Sequence, residues 1–397
     1  MKLTNLLFSI ILLAAGTNIC AQVKPVLSSS PTEASNSDFL ETTLRVTEVA
    51  VSGIAPQAKK EIESATKLMK DGNCGAAIAI ISKTIKSNPK IAIAYNNRGF
   101  CYMQLDKLDL AIEDFNAALN LSPSSVTYTN RGMIFYKKGN PTSALADFSK
   151  AIQLNPKDSV AYITRAFIYD QTGDFESSIN DYNKAISISP NDALYLSNRC
   201  YTYVKMNLFE KAIEDCSSAI QKNPKLTKAY GNRGAIYLKT SDFKSALNDY
   251  DAALKLDESV FDYHAGRGFA LVNLNRFEDA IESLSKAIVI KPTAIVYFQR
   301  AMAYSKLNKP DLELNDYNKA IELDPNNAVL YNNRGTFHLK NKNNSDSLKD
   351  FSKAIELDPK LVVAYKNRSQ LYKLLGENEK AAADKQKAET LAAEANK

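Results

Sequence analysis

Apolar and small residues recur along this chain in paired clusters, and the whole pattern returns about every 34 residues. In the stretch Ala229–Asp257, AYGNRGAIYLKTSDFKSALNDYDAALKLD, such residues follow one another at intervals of three or four. That interval is the period of an amphipathic helix. Polar residues typical of a turn, Thr240–Asp242, separate the two clusters. Each repeat therefore predicts two helices joined by a short turn.

An arginine marks the same place in nine successive repeats, and we number each repeat so that this arginine falls at position 7. Position 8 is always small, positions 4, 11 and 24 are mostly aromatic, and positions 20 and 27 are mostly alanine. Proline is common at position 32, where it ends the second helix because it lacks an N–H. A degenerate tenth copy comes first, with Ser64 in place of the arginine. The arginines are Arg98, Arg131, Arg165, Arg199, Arg233, Arg267, Arg300, Arg334 and Arg368.

These positions resemble the tetratricopeptide repeat (TPR), whose pattern has an aromatic at 4, glycine at 8, tyrosine at 11, alanine at 20 and 27, an aromatic at 24 and proline at 32. The resemblance implies an all-α fold, a right-handed α-solenoid superhelix of about ten tandem helix-turn-helix repeats. It extends over residues 58–397, with repeats starting near residues 58, 92, 125, 159, 193, 227, 261, 294, 328 and 362. Glu313 at position 20 and Glu258 at position 32 depart from it.

The first 57 residues differ in character from the repeats. Residues 1–21 predict a signal peptide, because Lys2 precedes an apolar stretch, Leu6–Ala15, that is too short to span a bilayer. Residues 22–57 are rich in Ser, Thr and Pro and predict a disordered linker. We therefore expect an exported bacterial protein, periplasmic or secreted, with no membrane span after signal removal. An uncleaved anchor is the alternative, and lipidation is disfavoured because Cys20 follows Ile19.

An aspartate at position 23 accompanies the arginine at position 7. Both positions lie about eight residues from the turn, so an antiparallel hairpin brings them to the same level. We predict structural ion pairs between the helices, within one repeat or to the next, in preference to a charged binding track. Ser283 interrupts the series opposite Arg267. The aspartates are Asp114, Asp147, Asp181, Asp215, Asp249, Asp316, Asp350 and Asp384.

The TPR resemblance implies that position 6 of the first helix lines a concave groove, where an asparagine can bond a peptide backbone without a charge to desolvate. Positions 9 and 13 are expected on the same face. The alternatives are ordinary solvation for the polar residues and packing between repeats for the aromatics. The candidate groove residues are Asn97, Asn130, Asn198, Asn232, Asn333 and Asn367 at position 6, Phe100, Phe167, Tyr201 and Phe269 at position 9, and Lys137, Lys205, Lys239, Lys306 and Lys340 at position 13.

Composition and motifs argue against several other functions. The net charge is +6 with both signs interspersed, and no basic block with stacking aromatics indicates nucleic-acid binding. The two histidines, His264 and His338, lie at packing positions in different repeats, so we expect no metal, no cofactor and no enzyme activity. The TPR subtype that clamps a chaperone's C-terminal carboxylate needs lysines and an arginine that Lys228, Asn232 and Lys366 do not reproduce.

Two cysteines, Cys200 at position 8 and Cys216 at position 24, lie in one repeat at nearly the same level of the hairpin. They can form a disulfide or remain buried free thiols. We favour free thiols, because both positions are normal core sites for small or apolar residues. If the signal is cleaved after Ala21, the mature chain retains an even number of cysteines in an oxidising compartment.

The leading functional hypothesis is a non-catalytic scaffold that binds an extended peptide or partner protein in the concave groove. Apolar anchors and the lysine rim suit a partner with apolar and acidic residues. The alternative is a structural or assembly component of a cell-envelope complex, or a self-associating scaffold, that uses the convex face or the terminal repeats. Both rest on the TPR resemblance rather than on a catalytic constellation.

Overall fold

The structure, a computed structural model, describes residues 54–395, in which every regular element is an α-helix. These residues form two compact units that divide after Leu226. The helices of residues 54–226 are α1 (Pro56–Lys70), α2 (Cys74–Ser87), α3 (Ala92–Gln104), α4 (Leu108–Leu121), α5 (Ser125–Lys137), α6 (Pro141–Leu154), α7 (Ser159–Thr172), α8 (Phe175–Ile188), α9 (Ala193–Lys205) and α10 (Phe209–Lys222).

The second unit repeats the same arrangement of paired helices. Its helices are α11 (Thr227–Lys239), α12 (Phe243–Leu256), α13 (Phe261–Asn273), α14 (Phe277–Ile290), α15 (Ala294–Lys306), α16 (Pro310–Leu323), α17 (Ala328–Lys340), α18 (Asn344–Leu357), α19 (Val362–Leu374) and α20 (Asn378–Ala395). Each odd-numbered helix and its successor make one hairpin, so each unit contains five. The predicted all-α solenoid of tandem helical hairpins is confirmed.

A left-handed residue ends the first helix of every described hairpin. At position 15 φ is positive, for example +76° at Gly139 and +61° at Lys342, and this conformation closes the C-terminus of a helix. Aspartate and asparagine at position 16 then cap several second helices, since Asp174 accepts from the Ser177 N–H and Asp242 from the Ser245 N–H. The short polar turn therefore both stops one helix and starts the next.

Close approach of the two helices explains the small residue at position 8. A Cβ added at Gly99 would lie 3.0 Å from the Phe115 ring, and one at Gly268 would lie 2.5 Å from Leu284 Cγ. The partners Phe115 and Leu284 occupy position 24 and are fully buried. The core of each unit is thus a stripe in which position 8 of one helix receives the large side chain at position 24 of the other.

First helices lie closer to one another than second helices do. In residues 54–226, α1 contacts α3, and the same contact joins α3 with α5, α5 with α7, and α7 with α9, whereas consecutive second helices there make no contact of comparable extent. In residues 227–395, α11 contacts α13 and α13 contacts α15 in the same way. Within each unit the first helices therefore lie on the inner side of the row.

The predicted signal peptide at 1–21 and nearly all of the predicted linker at 22–57 lie outside the described residues. Between residues 54 and 395, none of the helices combines the length and apolar character that crossing a membrane requires.

Candidate partner-binding face

The arginine at position 7 and the aspartate at position 23 meet inside each of eight hairpins. Arg98 Nε and Nη2 donate to the two carboxylate oxygens of Asp114, both at 2.8 Å. Asp114 is 5% exposed, and its hydrogen bonds to Arg98 raise the pKa of this arginine. The equivalent pairs are Arg131–Asp147, Arg165–Asp181, Arg199–Asp215, Arg233–Asp249, Arg300–Asp316, Arg334–Asp350 and Arg368–Asp384.

The remaining nitrogen of several of these arginines connects one hairpin to the preceding one. Arg98 Nη1 donates to Ser82 Oγ at 3.1 Å, and Arg334 Nη1 donates to Asn318 Oδ1 at 2.7 Å. The guanidinium of Arg98 also lies 5.8 and 5.9 Å from the ring centroids of Tyr95 and Tyr102. With these contacts the arginine holds helices together and offers little to a partner.

Arg267 has a different carboxylate partner, which sequence reasoning missed. Its Nε donates to Asp251 Oδ1 at 2.6 Å, and Ser283, at the usual aspartate position, donates instead to the His264 carbonyl oxygen. Asp251 lies at position 25 of the preceding hairpin, where the other repeats have serine or asparagine, or glutamine in the last one. The signal was therefore present: an aspartate appears at position 25 immediately before the one regular repeat that lacks it at position 23.

Cys200 and Cys216 form a disulfide, which corrects our preference for free thiols. The two residues occupy positions 8 and 24, the pair that elsewhere packs a glycine against a large side chain. Their Cα atoms are 5.6 Å apart, within the range that a disulfide spans. Two cysteines at this pair of positions replace a packing contact with a covalent one.

The asparagines at position 6 do not form an open track, which corrects the groove prediction. Asn97, Asn130, Asn232 and Asn367 are buried, and only Asn198 and Asn333 are partly exposed. Asn367 Nδ2, for example, donates to Asn332 Oδ1 of the preceding hairpin at 2.9 Å. Consecutive first helices approach so closely that position 6 lies in their interface rather than in a groove.

Position 9 remains accessible in several hairpins. Phe167, Tyr201 and Phe269 are partly exposed, whereas Phe100 is 5% exposed and belongs to the core around α1–α5. Phe100 is thus corrected from a groove residue to a core residue. We call the side of the odd-numbered helices that carries positions 9, 12 and 13 the first-helix face; at position 12, Met103, Asp170 and Val204 are buried.

The lysines at position 13 differ in their surroundings. Lys239, Lys306 and Lys340 are exposed in residues 227–395, and partial burial lowers the pKa of Lys239. Lys137 forms an exposed ion pair with Asp106 at 2.6 Å. Lys205 instead pairs at 2.6 Å with Asp170, a buried carboxylate that the sequence did not single out.

Comparison with known families agrees with this geometry. Models described as tetratricopeptide repeat or TPR repeat match residues 92–125, 125–158, 166–207, 227–260, 294–327 and 316–349, together about half of the chain. The chain belongs to the tetratricopeptide repeat family. TPR units are in general protein-interaction modules, so this TPR chain is a protein-interaction scaffold.

Several solved TPR structures are similar to this TPR chain. A TPR protein from Parabacteroides merdae is 22% identical with a TM-score of 0.46, covering 62% of this chain and 98% of that one. PilF from Pseudomonas aeruginosa is 16% identical with a TM-score of 0.48, covering 52% and 94%. The C-terminal part of a TPR protein from Cytophaga hutchinsonii is 20% identical with a TM-score of 0.45, covering 68% and 97%.

The described part of this TPR chain, residues 54–395, contains no group of three or more His, Cys, Asp or Glu side chains that could hold a metal ion. Its two histidines pack in the solenoid: His264 Nε2 lies 3.0 Å from the Glu258 carbonyl oxygen, and His338 Nε2 lies 3.8 Å from Asp350. The chemistry that the first-helix face offers is apolar contact, cation–π contact and hydrogen bonding.

Proposed function

We propose that this protein is a non-catalytic scaffold that binds an extended segment of a partner protein along the first-helix face. The observation that carries the proposal is the row of partly exposed apolar side chains at position 9, which five of the ten described hairpins have. In residues 54–226 the row contains Met133, Phe167 and Tyr201. The Tyr136 ring at position 12 packs edge-on against Phe167, with 5.6 Å between centroids, and extends the apolar surface.

The spacing of this row suits an extended peptide. Helices in contact have axes about 8–10 Å apart, and consecutive first helices are in contact from α1 to α9, from α11 to α15, and between α17 and α19. An extended chain advances about 3.3 Å for each residue. Roughly every third side chain of the bound segment would therefore meet one apolar anchor of the first-helix face. Burial of these anchors would supply most of the binding free energy.

Charge adds selectivity in residues 227–395. There Phe269 and Met302 at position 9 are accompanied by three exposed lysines, Lys239, Lys306 and Lys340. Exposed lysines attract acidic residues and raise the association rate more than they raise affinity. We therefore propose that the part of the segment bound to this unit carries acidic residues between its apolar ones.

Export is part of the proposal. It rests on the apolar stretch of the predicted signal peptide at 1–21 and is supported by the Cys200–Cys216 disulfide, a bond that persists in oxidising compartments. N-terminal sequencing of the protein recovered from periplasmic and medium fractions tests it. A protein recovered only from the cytoplasm with Met1 or Lys2 at its start would contradict export.

A second candidate function is self-association. It is favoured by a row of exposed apolar side chains at position 30 of the second helices, Leu256, Ile290 and Leu323, beside Val289, which is 86% exposed. An apolar row on the outer helices is suited to contact with another copy of the chain. Sedimentation over a range of protein concentrations separates the two candidates. A scaffold that only binds a partner on its first-helix face should be a monomer at every concentration, whereas a self-associating chain should not.

Site-specific photocrosslinking tests the leading proposal. Benzoylphenylalanine replaces Phe167 on the first-helix face in one variant and the exposed Leu154 at the end of α6 in the matched control. In the native host, we expect a crosslinked partner from the first variant, with the crosslinked residues in one contiguous segment, and none of that partner from the control. Crosslinks from Leu154 alone would overturn the proposal, and crosslinks to a second copy would favour self-association.

A further inference from the structure

One hairpin places a buried carboxylate in the otherwise mostly apolar row at position 12. The equivalent residues in the neighbouring hairpins are Met103, Tyr136 and Val204, whereas α7 has Asp170. Only 2% of the Asp170 side chain is exposed. Burying a carboxylate at a position that is otherwise mostly apolar costs desolvation free energy. Residues that depart from the local pattern in this way are found more often at functional sites than elsewhere.

Three donors meet the Asp170 carboxylate. Lys205 Nζ lies 2.6 Å from Oδ2, Thr202 Oγ1 donates to Oδ1 at 3.0 Å, and Gln171 Nε2 donates to Oδ2 at 3.1 Å. Thr202 and Lys205 come from α9, the first helix of the next hairpin. Lys205 supplies the positive charge that balances Asp170, and its side chain keeps 24% of its exposure.

Aromatic rings complete this site. Lys205 Nζ lies 4.9 Å from the centroid of Tyr201 and 5.8 Å from that of Phe175, the distances of cation–π contacts. Burial and the negative charge of Asp170 together raise the pKa of Tyr201 and of Tyr136. Tyr136 occupies position 12 of the preceding first helix, the position that Asp170 occupies in α7. A cation at this point therefore finds a carboxylate and aromatic surfaces together.

The occupant of this site is one of the chain's own lysines. At the same position 13, Lys137 is 56% exposed and pairs with a 74% exposed carboxylate, Asp106. Lys205 instead pairs with the buried carboxylate of Asp170, while its own side chain stays partly exposed. When a cationic group of a ligand replaces the Lys205 ammonium, Asp170 keeps an ion pair and the ammonium moves into solvent. The exchange keeps Asp170 paired throughout and avoids the cost of a buried unpaired charge.

We propose that Asp170, with Tyr201, Phe175 and Tyr136, forms a receptor for an arginine side chain of the bound partner segment, and that Lys205 is an internal plug that this arginine displaces. The proposal rests on the proposed function, because the site lies on the first-helix face beside Phe167. Arginine fits better than lysine, since its planar guanidinium stacks on aromatic rings, is less strongly hydrated than ammonium and bonds both carboxylate oxygens.

Matched peptides and variants test the site. The probes are a short fluorescein-labelled peptide with a central arginine between two leucines, and the same peptide with citrulline, which has nearly the same shape without the charge. We expect Lys205→Met, which removes the plug, to bind the arginine peptide about tenfold more tightly than wild type and the citrulline peptide unchanged. Asp170→Asn should abolish the preference for arginine.

Lys137→Met is the matched control, because Lys137 occupies position 13 of another hairpin and pairs with an exposed aspartate. It should leave both affinities as in wild type. The receptor proposal would be wrong if Lys205→Met increased the affinity for both peptides equally, or if Lys137→Met increased it as much. The Asp170–Lys205 ion pair would then only connect two hairpins. Far-ultraviolet circular dichroism verifies that each variant retains its helix content.

Chemical labelling of wild-type protein gives a reading that needs no variant. Acylation of lysine amines, located by mass spectrometry, should be slow at Lys205 in the free protein and should accelerate when the arginine peptide binds. Lys137 provides the reference. Bound arginine peptide with unchanged Lys205 labelling would contradict displacement. Equal binding of both peptides that is lost in Phe167→Ala would contradict the arginine receptor but would agree with partner binding on the first-helix face. The crosslinks from position 167 test the proposed function independently.

Discussion

Glu313 occupies position 20 of its hairpin, where the other regular repeats have alanine or serine. It is 3% exposed, and its burial raises the pKa of the carboxyl group, opposed by a hydrogen bond from Ser305 and by the charge of Lys340. The neighbouring Tyr317 is buried as well, and this burial raises the pKa of its phenol. The folded protein therefore holds the Glu313 proton at pH values where the unfolded chain has released it.

This linkage predicts a pH-dependent effect of Glu313→Gln. A raised carboxyl pKa in the folded state means that stability is fully present below the unfolded pKa and is lost as the pH rises through the folded pKa. Each unit of pKa difference corresponds to about 1.4 kcal/mol. We expect the glutamine variant to unfold in urea at a higher concentration than wild type at pH 8, with the difference closing toward pH 4.

Glu322→Gln is the control for this experiment, because the Glu322 carboxylate is exposed and pairs with Lys319 at the surface. Its effect should be small and nearly independent of pH. A Glu313→Gln variant that is less stable than wild type at pH 8 would show that the ionised carboxylate contributes favourably to the fold.

At the scale of the element, the turn between the two helices is the most constrained part of each hairpin. Position 15 has positive φ in all ten described hairpins, yet six of these residues are not glycine: Asp106, Asn207, Ser241, Asn275, Asn308 and Lys342. Asparagine and aspartate tolerate this conformation because their short side chains bond locally. Lysine has no such compensation, so Lys342 carries more backbone strain than the residues at equivalent turns.

Lys342→Gly should therefore stabilise the protein, by up to about 1 kcal/mol, since the left-handed conformation costs about that much for a residue with a Cβ and the flexibility of unfolded glycine offsets part of the gain. The reverse exchange at an equivalent turn, Gly139→Lys, should destabilise by a similar amount. Both residues are exposed, so packing does not confound the comparison. Chemical denaturation measures both, and effects of the same sign would contradict the strain argument.

For the whole chain, the repeat period predicted the fold because each packing position recurs. Small residues at position 8, large ones at position 24 and alanine at position 27 can be identified from a single sequence, and they lie in the stripe-like core. That Arg98 and Asp114 lie opposite each other in the hairpin also follows from the sequence, because each is about eight residues from the turn. These relations lie inside one hairpin, where helix geometry alone fixes which residues are neighbours.

Contacts between hairpins could not be predicted in the same way. Asn97 and Phe100 are buried because consecutive first helices approach closely, and that distance is not encoded in the pattern of one repeat. The Asp170–Lys205 pair joins residues 35 apart in sequence. Asp170 stands out in the mostly apolar row at position 12, but one repeat does not show that its partner lies on the next first helix. The sequence therefore predicted the helix face and several of its residues, such as Phe167, Tyr201 and Lys205, whereas the burial of Asn97 and Phe100 and the part played by Asp170 required the structure.

Asp249→Ala tests how far a defect spreads through such a solenoid. The substitution leaves the Arg233 guanidinium without its buried carboxylate and should cost about 3 kcal/mol. Because each hairpin is stabilised by itself and its neighbours, hydrogen exchange should accelerate in α11–α13 and remain unchanged in α17 and α18. Glu282→Ala, which breaks an exposed pair with Lys286, is the control and should change neither. An unaltered melting temperature for Asp249→Ala would show that these pairs behave as solvated ones, and uniform acceleration over residues 227–395 would show that this unit unfolds as a single cooperative body.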